Sequence, residues 1–170
     1  MPAEWSGLSE LIHDLGELGG IERAIVDEGM IPRLAAQVRD RAVANLGHYQ
    51  GQKGPYNAWK SLSMYTQANR AHLGFTADEP LLRTGTMAKE VTFDVEDGGL
   101  SALIGLPQGS TSGLYGAVME LGNFLHTIEP RPWLAPALYE LSGQIVNTFG
   151  ERVHGLFRPR LGVLWSQAPP

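Results

Sequence analysis

The chain has 170 residues, enough for one domain and short of two, and it contains no cysteine, so disulfides, thiolate metal centres and thiol nucleophiles are excluded. Thirteen Lys and Arg against eighteen Asp and Glu give a net charge of -5, which argues against wrapping nucleic acid, because phosphates need a basic field. Charged residues make up 18%, below the roughly 25% typical of soluble domains, and 21 Gly and 11 Pro take up much of the difference, a balance that raises the expectation of burial against partners.

The first predicted element is a short amphipathic helix. Leu8, Leu11, Ile12, Leu15 and Leu18 recur at three- and four-residue spacing, with Ser6 as a cap and Gly19-Gly20 as the stop. Met1 to Leu11 carries Glu4 and Glu10 and lacks the basic region and apolar run of a signal peptide, and no window reads as a membrane span, so the expected site of synthesis is the cytoplasm. A second helical pattern runs through Ile21, Ile25, Ile31, Leu34, Ala35, Val38, Ala42 and Leu46, with a kink or break expected at Gly29 and Pro32. Arg33, Gln37, Arg39, Asp40 and Arg41 form its solvated side.

From Gly47 to Pro80 the periodicity fades into a polar, glycine-containing stretch that reads as a long loop with a helical turn at Ala58 to Ala71. Its aromatic residues Tyr56, Trp59 and Tyr65 are candidates for a protein interface. Beside Lys53, Lys60 and Arg70 they also fit a platform for single-stranded nucleic acid, but three cations over such a length on an acidic chain suit a protein contact or a solvated loop better. Met87, Lys89, Val91, Phe93 and Val95 then alternate with Ala88, Glu90, Thr92, Asp94 and Glu96, which predicts a strand. Asp97-Gly98-Gly99 supplies a turn, and Leu100 to Leu106 reads as the return strand of a hairpin.

Pro107 to Gly113 is a Gly-Ser-Thr loop. Gly109 to Gly113 looks like a nucleophile elbow, but Thr111 stands where that motif wants Ser, and no Lys-Ser/Thr follows to make a phosphate loop. An enzyme reading would combine this loop with His126 and Glu129. Of His13, His48, His72, His126 and His154, no two lie three or four residues apart, so no helical metal face is encoded, and neither a metal nor another cofactor is expected. Leu114 to Leu121 fits helix or strand. Within it Glu120 lies among apolar neighbours; a buried carboxylate there would need a partner such as Arg83 or Arg131, and the alternative is that it faces water. Leu134, Leu138, Leu141, Ile145, Phe149, Val153 and Leu156 predict a last helix ending near Phe157. Beyond it, Pro159, Gly162, Pro169 and Pro170 favour an extended tail over Arg158 to Pro170, long enough to reach about 40 Å. Its apolar Leu161, Val163, Leu164 and Trp165 are candidates for contact with a neighbour, or for the core of the subunit itself.

These elements make an α+β chain: N-terminal helices, a small antiparallel sheet with a hairpin, a long C-terminal helix and an extended tail. Residues 1–157 form the single domain, with the long loop at 47–80, and residues 158–170 form the tail.

Three segments occur in a telling order: Leu81-Leu82-Arg83-Thr84-Gly85-Thr86-Met87, then Tyr115-Gly116-Ala117-Val118-Met119-Glu120-Leu121-Gly122, then Pro130-Arg131-Pro132-Trp133-Leu134-Ala135-Pro136-Ala137-Leu138. The series resembles the tail-completion proteins of tailed bacteriophages, also called neck, head-tail joining or virion morphogenesis proteins. Met87 and Trp133 stand where those patterns commonly carry Leu and Phe. The resemblance implies a subunit without catalytic role that forms a homo-oligomeric ring at the head-tail interface, against connector or stopper proteins on one side and the tail terminator or tail tube on the other. It implies a place in the virion after assembly in the host cytoplasm, and no membrane or specific nucleic-acid partner. On it rest the expectations that Thr84-Gly85 forms a tight lead-in to the sheet, that Gly122, Pro130 and Pro132 shape and stiffen the approach to the last helix, and that Trp133 anchors the core while Arg83, Glu120 and Arg131 form a polar cluster.

Overall fold

The computed structural model describes residues 20, 22–26, 28–123 and 128–166, without the side chains of residues 153 and 156–166. The helix expected over Leu8 to Leu18 lies outside these residues, as does His126. Residues 22–26 are helical, and the chain then breaks at Gly29, whose φ of 58° is a left-handed conformation that glycine adopts without cost. Helix α1 follows over Met30–Asn45. Pro32 sits in its first turn, where no intrahelical amide bond is lost. Met30, Leu34, Ala35, Val38, Ala42 and Asn45 are its buried stripe.

Residues 47–80 leave the helical framework and return to it, and the Gly47 amide donates to the Pro80 carbonyl at 2.8 Å to tie the two ends together. Inside this excursion Lys53 and Tyr56 bridge a tight turn, and helix α2 spans Met64–His72, with the Ser63 hydroxyl accepting from the Thr66 amide. The expected helical turn is thus real but lies further along the chain. A short helix α3, Thr86–Glu90, precedes strand β1, Thr92–Glu96; a 3-10 turn at Asp97–Gly99 leads to strand β2, Ser101–Gly105. The hairpin is antiparallel, with Phe93 opposite Ile104 and Val95 opposite Ala102.

The predicted strand therefore begins later than its alternation suggests, because residues 86–90 coil. Met87 and Val91 are both buried, and a spacing of four satisfies a helix as well as a strand. Gly85, at φ 72°, sets the helical turn, and the Lys89 and Val91 amides complete it on the carbonyls of Gly85 and Met87. Thr84-Gly85 accordingly leads into a helix rather than into the sheet.

Helix α4, Thr111–Leu121, resolves the ambiguous apolar segment, and helix α5, Ala135–Ser166, closes the described chain. α5 passes the expected end at Phe157, so residues 158–166 are helical and not an extended tail. Pro159 removes one intrahelical bond and crowds the carbonyl four residues back, which bends a helix more readily than it ends one. The core cluster joins Ala42 and Leu46 of α1 to Trp59, Leu81, Met87, Val91, Met119, Trp133 and Ala137. α1 packs against both strands and against α5, and Ala42 and Ala137, with no exposed surface, bring small side chains to that core.

Candidate functional site

The start of α5 is a densely hydrogen-bonded junction. Helix N-termini leave amides without intrahelical acceptors, and Trp133-Leu134 offers no Ser, Thr, Asp or Asn to cap them. Glu120, near the end of α4, supplies the acceptor from a distance. One oxygen, Oε2, accepts from the amides of Trp133 at 2.7 Å and Leu134 at 3.0 Å, while Oε1 accepts from Ala135 at 2.9 Å. A carboxylate at this end of a helix is further favoured by the helix dipole.

Trp133 is 3% exposed and fixed at both ends: its indole N–H donates to the Gly116 carbonyl at 3.2 Å, and its own carbonyl accepts from Asn45 Nδ2 at 2.9 Å. It is a core anchor, as expected. Gly116 packs closely here: a Cβ on it would displace the Leu106 Cδ1 methyl and lie in ordinary contact with Trp133 Cζ2 at 3.5 Å. Gly122 ends α4 at φ 77°, and a Cβ on it would meet the Ile128 carbonyl at 3.0 Å and Pro130 Cδ at 3.3 Å. The Arg131 amide donates to the Met119 carbonyl at 2.6 Å, and the Pro132 carbonyl accepts from the Trp59 indole at 3.1 Å.

The expected cluster of Arg83, Glu120 and Arg131 does not form. Arg83 stands over the Phe75 ring at 5.6 Å, and Arg131 donates through Nη2 to the Lys60 carbonyl at 3.3 Å. Backbone amides satisfy Glu120 instead, so no guanidinium is needed there. Trp59, expected at an interface, is 7% exposed and belongs to the core, held by the bond to Pro132. Tyr56 is half-buried and meets Tyr139 edge-on at 6.2 Å. Tyr65 stands 82% exposed. The side chains of Leu161, Val163, Leu164 and Trp165 lie outside the described residues.

The three cations of the 47–80 excursion are each engaged within the chain. Lys53 bridges Glu140 at 2.8 Å and Asn45 Oδ1 at 3.2 Å, Lys60 pairs with Glu129, and buried Arg70 donates to the Glu79 carbonyl. Glu140 also accepts from Arg41 Nε at 2.5 Å. That hydrogen bond, reinforced by Lys53 against the opposing effect of burial, holds the Glu140 carboxyl at about 2. Ser110 caps α4, accepting from the Gly113 amide and donating to the Pro107 carbonyl, both at 2.8 Å. Its hydroxyl is therefore occupied in the loop that the enzyme reading would use.

A cleft of about 380 Å³ opens between the segment leading into α2, α4 and residues 128–131, and Arg70, Arg131, Tyr115 and Met119 line it. Arg131 Nε is shielded from solvent and has no acceptor. Among the described residues no helix is long and apolar enough to cross a membrane, and no group of three His, Asp or Glu is placed to hold a metal. Comparison of the chain with protein-family models, with curated proteins and with solved structures finds no match.

Proposed function

We propose that this chain is a structural subunit of a tailed-phage virion, assembling as a homo-oligomeric ring at the head-tail interface and joining the connector to the tail without making or breaking a covalent bond. The observation that carries this reading is where large apolar side chains are left. Met64 is 87% exposed and Tyr65 82% on α2, and Leu114 is 72% and Leu121 80% on α4. Isolated exposed apolar residues are ordinary, but these four are the most exposed of the large apolar side chains among the described residues, and they fall in pairs on two helices, of which α4 is held by the core and the Glu120 junction. Helices presenting apolar and aromatic side chains beside arginines have the composition of interface cores. The ordered resemblance across residues 81–138 supports the same reading, and the Glu120 junction accounts for the third segment of that series by giving its backbone a fixed anchor. The partners in this reading are further copies of the chain, a connector or stopper protein, and the tail terminator or tail tube.

The test is the solution mass of the purified protein, alone and mixed with connector and tail components. A closed multiple of the 18.5 kDa subunit, or a defined complex with those components, is the expected result. A monomer under every condition, or turnover in a screen of hydrolase substrates, contradicts it.

A further inference from the structure

The pocket at the start of α5 and the far end of the same helix suit each other and cannot meet within one subunit. A cavity of about 300 Å³ opens between the end of β2, α4 and the first residues of α5, walled by Leu106, Ala117, Leu121, Trp133 and Leu134. The one charged group on its wall, Glu120, already commits both oxygens to the amides of residues 133–135, so the pocket offers an incoming group little but apolar surface. An aromatic or aliphatic side chain from outside would remove that surface, including the 80% exposed Leu121, from water.

α5 carries a matching element at its other end. Phe157, Leu161, Leu164 and Trp165 follow one another at spacings of four, three and one, which place them on one face of the helix. From Arg152 to Ser166 the helix holds Arg152, Arg158 and Arg160 and no acid, on a chain whose net charge is -5. The strand beside the pocket is acidic: Gly105, on the pocket wall, pairs with Thr92, and Asp94 and Glu96 follow at intervals of about 7 Å on the same face of β1, both exposed. At 1.5 Å per residue, Ala135 and Leu161 are about 40 Å apart along α5. A bend at Pro159 would leave about 35 Å of helix before it, and the residues beyond it to Ser166 span only about 10 Å. The end of α5 therefore cannot enter the pocket at its own start.

We infer that the C-terminal end of α5, through Leu161 and Trp165, enters the α4–α5 pocket of a second copy of this chain and brings Arg158 and Arg160 to the acidic strand beside it. The inference rests on the assembly reading and specifies its subunit contact. Pocket and helix end share no residue, so the contact is heterologous, the kind that generates rings when its rotation closes. The apolar face of the helix supplies the buried anchor, and the opposite charges fix the direction in which it lies.

The experiment measures assembled mass by sedimentation over a range of concentrations. It compares the full chain, Trp165→Ala, Ala117→Trp, which fills the pocket from an exposed position on α4, and an equimolar mixture of the two variants. Circular dichroism checks that each variant keeps its helices; Leu121→Arg, which sets a cation against the arginines of the incoming helix, replaces Ala117→Trp if that variant unfolds. Each variant alone is expected to raise the concentration needed for half-assembly by at least about tenfold. The mixture is expected to stop at pairs, twice the 18.5 kDa subunit, because only the helix end of Ala117→Trp and the pocket of Trp165→Ala remain intact. Variants that assemble as the parent does, one variant that assembles normally while the other fails, or a mixture without pairs overturn the docking while the assembly reading stands. A parent chain that stays monomeric, alone and with connector and tail components, overturns both.

Discussion

Glu120 meets α5 from the end of α4 and binds three backbone amides, whereas Glu140 lies in the second turn of α5 itself and binds two side chains, Arg41 from α1 and Lys53 from the excursion that follows. The partners of Glu120 are fixed by the helix they begin, so little side-chain freedom is lost in forming those bonds. The partners of Glu140 are long, partly exposed side chains that must be ordered for each contact, and salt screens the result. One carboxylate thus joins two elements through the backbone, and the other trims a contact that packing already makes. The charge and the helix are the same; what differs is the kind of donor.

The sharpest way to break this contrast is to remove the anchor that Glu120 serves. Trp133→Ala should destabilise the fold by about 3–5 kcal/mol, from the lost ring and its unfilled space, read by denaturant unfolding. Glu120→Ala should follow at about 2–4 kcal/mol, because three amides at the start of α5 lose their acceptor, with Glu120→Gln milder since its carbonyl oxygen still accepts. An unchanged midpoint for Glu120→Ala would show that packing alone seats α5. At neutral pH Glu140→Gln should cost about 1–3 kcal/mol, more than an exposed ion pair because the Lys53 and Glu140 side chains are only 17% and 26% exposed. Its pH dependence sharpens the comparison. The Glu140 carboxyl titrates at about 2 in the folded chain against 4.5 ordinarily, so the advantage of the parent over Glu140→Gln is full above about 4.5 and disappears as pH falls towards 2. A gap between the two melting curves that stays constant across that window contradicts the ion-pair account. Smallest of all, Lys60→Ala should move stability by no more than about 0.5 kcal/mol, since its pair with Glu129 is largely in water.

The stripe of α1 and the hairpin were legible because each depends on a local period: Leu34, Ala35, Val38 and Ala42 repeat on one helical face, and Asp97-Gly98-Gly99 carries its own turn chemistry. Met87 to Val91 was not, because positions four apart obey both periods and only the left-handed Gly85 decides between them. The periodicity marks the start of the last helix correctly and ends it too early, because Pro159 reads as a stop. The junction was half legible. An unpaired carboxylate among apolar residues marks Glu120 as needing a partner, but a search among side chains finds only arginines, and the true partners are amides that every residue has. The available signal was the missing cap: a helix that begins at Trp133-Leu134-Ala135 must take an acceptor from elsewhere in the fold. Trp59 shows the converse, an aromatic in a polar stretch that looks like a contact residue until the distant Pro132 carbonyl is brought to its indole.

A rotationally averaged image of the assembled protein tests the central claim most directly. The account predicts a closed ring of identical subunits, each with its α2 and α4 surfaces turned against a neighbour or an adjoining neck layer. Separate single subunits, or rings whose contacts leave Met64, Tyr65, Leu114 and Leu121 facing open solvent, would contradict it.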